Sequence, residues 1–270
     1  MTGVQTCALP ISRQAAIAIA NQTVVIRQGA TDLPVISSVT NAASFARDSA
    51  APGTVVAIFG QRLGPPQITT AQLTSDGLSL TTTLAGTRVF FDDTPAPMIY
   101  TLDSVVSAVV PYNTEGKRST KVVVEYQGRR SAESTLSLTP TAPGIFTANA
   151  SGTGQAAALN QDLSYNGPGN PVQRGQTIVL YLTGEGVTDP PGVDGQLNGL
   201  TPPQPVAPAI VSIGGALAQV TYKGGVYGVT PGLMQINAVV PLAAPTGGAV
   251  PLTVNIGGVL AQRDVTVAVQ

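Results

Sequence analysis

Val89-Phe90-Phe91-Asp92-Asp93-Thr94-Pro95-Ala96-Pro97-Met98-Ile99-Tyr100 aligns without a gap on Val211-Ser212-Ile213-Gly214-Gly215-Ala216-Leu217-Ala218-Gln219-Val220-Thr221-Tyr222. Each stretch reads as strand, two-residue turn, strand. Asp92-Asp93 and Gly214-Gly215 fall on the turn, where the backbone conformation favours Asp and Gly. Repetition on this scale means that the chain holds two copies of one β unit, so the fold follows from what surrounds each copy.

Upstream, each half has a turn leading into an apolar strand that ends on glycine. These are Ala51-Pro52-Gly53-Thr54-Val55-Val56-Ala57-Ile58-Phe59-Gly60 and Arg174-Gly175-Gln176-Thr177-Ile178-Val179-Leu180-Tyr181-Leu182-Thr183-Gly184. Downstream, each has a strand closing on Val-Pro, at Val110-Pro111 and Val240-Pro241. Both halves then finish with another hairpin, over residues 121–138 through Gln127-Gly128 and over residues 250–269 through Gly257-Gly258. About seven short strands punctuated every 8 to 12 residues or so are the pattern of a sandwich. The chain is therefore expected to be all-β: two tandem immunoglobulin-like β-sandwiches, at residues 35–139 and 140–270, preceded by a truncated β-hairpin.

Two expectations concern how the sandwiches join. The continuous apolar run 177–182 suits a strand covered on both faces, where the two sandwiches meet. The junction Thr139-Pro140-Thr141-Ala142-Pro143-Gly144-Ile145-Phe146 is short, and its prolines restrict their own φ and the residues before them, which makes a semi-rigid spacer. Phe146 is expected to be buried at or near the interface, because a large apolar side chain is costly to leave in water.

Composition narrows the function. With 43% hydrophobic residues, 270 residues can supply a core to each sandwich, and Gly 30 and Pro 22 show no collagen period. A net charge of −1 and a pI near 5.3 provide no basic field for a phosphate backbone, so nucleic acid is not an expected partner. There is no His, which removes the commonest general base and metal ligand together, and the single Cys7 cannot form an internal disulfide. No run reaches the roughly 18 apolar residues that a membrane span needs.

Residues 1–12, opening Met1-Thr2-Gly3-Val4-Gln5-Thr6-Cys7-Ala8-Leu9-Pro10-Ile11, lack the basic start and apolar length of a signal peptide. They resemble the translation of a sequencing adapter, which would make Cys7 foreign. Residues 13–32 contain Ala15-Ala16-Ile17-Ala18-Ile19-Ala20, a turn at Asn21-Gln22, then Thr23-Val24-Val25-Ile26-Arg27-Gln28. This hairpin, with Arg13 leading in and Gln28-Gly29 closing it, resembles the last two strands of a BACON domain, an immunoglobulin-like module of bacterial extracellular proteins. The resemblance implies an upstream domain of which this is a remnant.

Residues 51–64 resemble the opening of IPT/TIG domains, where a Pro-Gly turn leads a strand into a Gly-bounded loop, here Phe59-Gly60-Gln61-Arg62-Leu63-Gly64. A closer resemblance spans residues 35–270. Asn41-Ala42-Ala43-Ser44-Phe45, Ala142-Pro143-Gly144-Ile145-Phe146, Gly154-Gln155-Ala156-Ala157-Ala158-Leu159-Asn160-Gln161-Asp162 and Gln235-Ile236-Asn237 look like the landmarks of the uncharacterised C-terminal domain of large secreted proteins of Solibacter-type bacteria. The first repeat departs from it, with Ser104-Val105-Val106-Ser107-Ala108 where a Gln-Ile-Asn-like segment is usual. The family carries no established activity. It implies an extracellular or cell-surface location and a place at the C-terminus of a larger protein.

No constellation of catalytic groups stands out. Without His, a nucleophile would need Lys or a carboxylate beside it, and the three lysines, Lys117, Lys121 and Lys223, read as solvated ends around turns and a Gly-rich loop. Asp92 and Asp93 could be the carboxylate pair of a glycosidase, but as adjacent turn residues they diverge. Calcium would look to Asn160, Asp162 and Asn166, or to Asp189 and Asp194, none at EF-hand spacing. Gly184-Glu185-Gly186 lacks the strand-turn-helix context of a phosphate loop. The sequence thus assigns no catalytic, cofactor-binding or metal-binding residue, no cofactor, and no enzymatic activity.

The expected function is a structural or adhesion module, with the upstream domains of the same polypeptide as partners and cell-surface polysaccharide or protein as the outside partner. The alternative is a polysaccharide-binding module. The absence of Trp speaks against sugar platforms. Tyr100 and Tyr222, at equivalent positions, point to shared packing with the hydroxyl at the rim. Tyr112, Tyr165 and Tyr227 fall in loops and are the candidate platforms.

Overall fold

A computed structural model describes the backbone of residues 13–19 and 22–28, and residues 32–47 and 49–270 in full. The adapter-like residues 1–12, Cys7 and Gly29 lie outside the described residues. The chain divides into two compact units, Met1–Leu33 and Pro34–Gln270.

In the first unit, strand Arg13–Ile19 pairs antiparallel with Gln22–Gln28, from Arg13↔Gln28 to Ile19↔Gln22. Gln22, read from sequence as part of the turn, is in the second strand.

The second unit is all-β, with one 3-10 turn at Tyr112–Thr114 and no α-helix among the described residues. Strands from residues 35–138 make two sheets. One runs Val35–Asn41, Val55–Gln61, Val105–Val109, Met98–Thr101, Thr69–Thr70; the other runs Ser49–Ala50, Ser134–Leu138, Ser119–Tyr126, Thr87–Phe91, Thr94–Pro95. Between them lies an apolar core that includes Ile58, Leu84, Phe91, Met98 and Leu136.

The second repeat has the same plan. Its strands run Gly144–Ile145, Thr177–Thr183, Met234–Val239, Ala216–Gly225, Ala209–Ile213, Gly247–Ile256, Val265–Val269, Gly154–Gln155. The short strand pairing parallel with the last long one recurs too: Ser137↔Ser49 in the first repeat, Gly154↔Val265 in the second. A separate core around Ile145, Leu180, Leu182, Ile213, Met234 and Ile236 fills the second sandwich.

The aligned motif turns out to be a sheet-switching strand more than a simple hairpin. In the second repeat, residues 216–218 pair with 211–213 in one sheet, and from Gln219 onward the same strand pairs with Met234–Val239 in the other. The first repeat makes the same crossing, but the strand breaks between Thr94–Pro95 and Met98–Thr101. Pro97 stands at the position of Gln219 and has no N–H to give a ladder, so the crossing interrupts the strand there. The turns match at their first central residue, Asp92 with φ 52° and Gly214 with φ 61°, and differ at the second, where Gly215 is left-handed (φ 84°) and Asp93 is not.

Candidate functional site

The two sandwiches meet along a seam of direct contacts. The strand entry at residues 51–55 of the first sandwich docks on the second, where the Val55 N–H donates to Thr183 Oγ1 at 2.8 Å. Tyr112 N–H donates to Asp194 Oδ1 at 2.8 Å. Leu80 N–H donates to the Gly195 carbonyl at 2.9 Å and Leu197 N–H to the Leu78 carbonyl at 2.8 Å, closing a bridge at Ser79↔Gln196. Glycines let the surfaces approach. A Cβ at Gly192 would collide with the Tyr112 ring, and one at Gly232 would stand 2.6 Å from the Gly53 carbonyl.

The junction is pinned on both sides. Asn41 Nδ2 donates to the Ala142 carbonyl at 2.9 Å, Thr141 Oγ1 donates to the Ile256 carbonyl at 2.8 Å, and Ala142 N–H donates to the Gly184 carbonyl at 2.9 Å. Gly184 (φ 86°) and Gly186 (φ 80°) lie against the Ala142 and Pro140 carbonyls, so close that a side chain at either would collide with backbone. The landmark motifs at 41–45 and 142–146 therefore meet physically: a Cβ at Gly144 would strike the Asn41 amide, and Gly152 packs on the Ser44 carbonyl.

Between those glycines sits Glu185, 3% exposed, with one carboxylate oxygen buried and without a hydrogen-bond partner. Burial pushes its carboxyl up to about 7, against smaller lowering contributions from its own and the Gly232 N–H. Burial likewise raises the Tyr112 phenol, helped by the charges of Glu185 and Asp194; Thr188 offsets this slightly, although the Tyr112 hydroxyl has no hydrogen bond of ordinary geometry. Asp194 is also raised by burial.

At the far end of the second sandwich is an open, amide-lined cleft of about 380 Å³ bounded by Asn160, Gln161, Asp162, Asn170, Gln173, Gln176 and Gln270, with Pro171. Two buried asparagines brace its wall. Asn166 Nδ2 donates to Asn160 Oδ1 and to the Ala268 carbonyl, both at 2.9 Å, and Asn166 Oδ1 accepts from Ala268 N–H at 2.9 Å and Gln155 Nε2 at 2.7 Å. A second open cleft shares Gln173 and Gln270 and adds Arg174 and Leu242.

No protein-family model matches the chain, and no curated protein matches it. Among solved structures it is similar to a surface glycan-binding protein, PbSGBP-B from Prevotella bryantii, at 12% identity and TM-score 0.26, covering 87% of this chain and 41% of that one. It is similar to SGBP-B from a complex xyloglucan utilization locus in Bacteroides uniformis at 13% and 0.25, covering 84% and 47%. It is also similar to the gamma-CGTase of alkalophilic Bacillus clarkii at 12% and 0.29, covering 92% and 29%. The chain thus spans less than half of each of them, and TM-scores this low carry no argument about its fold or function.

Several residues singled out in the sequence stand elsewhere than expected. Lys223 is inside strand Ala216–Gly225, part-buried, donating to the Pro205 and Ala207 carbonyls at 2.9 and 2.6 Å, and burial lowers its pKa. The glycines after it extend the strand rather than open a loop. Tyr112 is a wedge in the seam, not a platform. Phe146 is half-buried while Ile145 is fully buried in the second core, because neighbouring strand residues face opposite ways and Ile145 takes the inward one.

Asp92 is a turn brace: Lys117 Nζ lies 2.8 Å from Oδ2 and Lys121 N–H donates to Oδ1 at 2.9 Å, which together hold its carboxyl low. Lys121 Nζ pairs with Glu133 at 2.8 Å. Asn160 and Asn166 spend their oxygens on the network above, and Asp162 Oδ1 accepts from Ser164. Among the described residues no three His, Cys, Asp or Glu side chains are grouped to hold a metal ion. Tyr222 donates to the Gly225 carbonyl at 2.6 Å, while Tyr165 and Tyr227 are 84% and 66% exposed.

Proposed function

We propose that residues 34–270 are a non-catalytic structural module of an exported bacterial surface protein, of the Solibacter-type C-terminal kind, in which two immunoglobulin-like sandwiches act as one stiff body for display or adhesion. The observation that carries this reading is the seam. A freely swinging pair would transmit neither position nor load, whereas here backbone donors of the first sandwich end on acceptors of the second at 2.8–2.9 Å along several elements. A non-catalytic role is supported by the engagement of the candidate acid and base groups in turn and strand bracing. The extracellular or cell-surface location rests on the sequence resemblance. No described helix is long and apolar enough to cross a membrane.

Calorimetry of the chain tests the reading: the two sandwiches melt in one transition if the seam couples them, and in two if it does not. Hydrolytic turnover of a glycoside or ester substrate that disappears in Asp92→Asn or Asp162→Asn would overturn the non-catalytic role. A second reading, a polysaccharide-binding module, is favoured by the amide-lined cleft.

A further inference from the structure

The two sandwiches place the same structural end in different company. Gly53 N–H donates to the Val110 carbonyl and Val110 N–H to the Thr54 carbonyl; Gly175 N–H donates to the Val240 carbonyl and Val240 N–H to the Gln176 carbonyl. The strand-entry turns are therefore equivalent, Ala51-Pro52-Gly53-Thr54 with Gln173-Arg174-Gly175-Gln176. In the first sandwich this turn is buried in the seam. In the second it is open, and it forms the amide-lined cleft.

Side chains changed together with the surroundings. Buried Ala51, Pro52 and Thr54 are matched by Gln173, Arg174 and Gln176, and Tyr112, which follows Pro111, is matched by Leu242, which follows Pro241 and is 77% exposed. The orphan donor changed hands as well. The Val55 N–H is satisfied across the seam, but its equivalent, the Thr177 N–H, is satisfied at 3.0 Å by Gln161 Oε1 from the same sandwich. The strand-entry donor at the open end is thus satisfied from within its own sandwich.

A well-solvated surface carries Lys, Arg, Glu and Asp at about 25–35% of its positions, with both signs interspersed. This one has six primary amides, Asn160, Gln161, Asn170, Gln173, Gln176 and Gln270, with Asp162 as the one charge in the cleft and Arg174 beside it. Each amide offers a donor pair and an acceptor in one plane. Asn170 spends its donors on Ser164 Oγ and the Tyr165 carbonyl, at 2.8 and 3.0 Å, which leaves its oxygen for a ligand. Gln270 spends one N–H on the Pro171 carbonyl at 3.2 Å and keeps its oxygen.

We propose that this cleft binds an uncharged polysaccharide, its amides pairing with vicinal hydroxyls. The inference rests on the polysaccharide-binding reading and gives it a place and a ligand class. Uncharged donors and acceptors side by side suit sugar hydroxyls, whereas a polyuronate would call for a cluster of cations. The adjoining cleft shares Gln173 and Gln270 with it and extends the site, and Leu242 supplies an apolar patch for the face of a ring.

Affinity electrophoresis of the full chain through gels holding mixed-linkage β-glucan, galactomannan, arabinoxylan or polygalacturonate tests the proposal. At least one neutral polymer is expected to retard the protein, with the affinity falling tenfold or more in the double variant Gln173→Ala/Gln270→Ala and in Gln176→Ala, and unchanged in Tyr227→Ala. Circular dichroism of each variant checks that it folds as the parent does. Retardation by a neutral polymer that the cleft variants leave intact would overturn the site while leaving the polysaccharide-binding reading standing. No retardation by any polymer would overturn both, and retardation by polygalacturonate alone would overturn the ligand class. Self-association in gel filtration that Leu242→Ser abolishes would make the end a docking surface for a second copy, and would also overturn the proposal.

Discussion

The amide of Val55 and the hydroxyl of Thr183 are hydrogen-bonded at 2.8 Å across 128 residues of sequence, in a buried setting. A strand's first donor in one sandwich is thereby satisfied by a side chain of the other. Removing the acceptor leaves a buried N–H orphaned, which costs about 1–3 kcal/mol. Thr183→Val, nearly the same in shape, is expected to lose that much in urea unfolding, with Thr183→Ser recovering most of it. Equal stability in Thr183→Val would mean that the bond contributes nothing to the seam.

Gly184 is required by its backbone on two grounds, a left-handed φ of 86° and the Ala142 carbonyl lying where a Cβ would be. Gly184→Ala is expected to lower the melting temperature by several degrees and to expose the junction at residues 139–143 to protease, because the linker carbonyl must move. Gly199→Ala is the control, since nothing lies within 4 Å of its would-be Cβ. Equal behaviour of the two variants would contradict the tight junction.

Glu185 should make the protein less stable as pH rises. Its carboxyl stands near 7 folded against 4.5 in its unperturbed state, so the folded chain holds the proton more tightly than the unfolded one. Its stabilising contribution is full below about pH 4.5, declines through the interval, and is gone above pH 7, a loss of about 3 kcal/mol. Asp194 acts in the same direction, whereas Asp92 acts in the opposite one. Comparing wild type with Glu185→Gln isolates the residue: the variant is expected to be the more stable at pH 8 and to lose that advantage at pH 4.5. Parallel pH profiles would show that the carboxylate is solvated.

Ile145→Ala is expected to cost about 2–5 kcal/mol, since the side chain is wholly inside the second core, and Phe146→Ala distinctly less. Chemical unfolding of the two variants decides between them, and the reverse order would place Phe146 inward after all.

The repeat, the turns and the strand order were legible because they rest on local alternation and on turn chemistry, as at Asp92 and Gly214. What escaped the sequence depends on contacts far along the chain. Glu185 reads as a loop residue between two glycines, and its burial depends on distant segments such as the 140–142 linker against Gly184 and Gly186 and the Gly232 N–H. Lys223 before Gly224-Gly225 looks like the start of a loop until strand Met234–Val239 pairs with it. Phe146 shows the weakness of inferring burial from size alone, since facing is set by the strand. The amides of the cleft come from residues 160 to 270 and share no local pattern; the turn at 173–176 stands out only against its buried counterpart at 51–54.

Whether the two sandwiches move as one stiff body is read from a distance distribution across the seam. Thr135 and Leu217, both exposed and on different sandwiches, can carry spin labels as Thr135→Cys and Leu217→Cys once the single cysteine is removed by Cys7→Ser. Double electron–electron resonance on that protein is expected to give one narrow distance distribution, which broadens when Gly184→Ala is added. A broad or multimodal distribution in the labelled protein without Gly184→Ala would contradict the account.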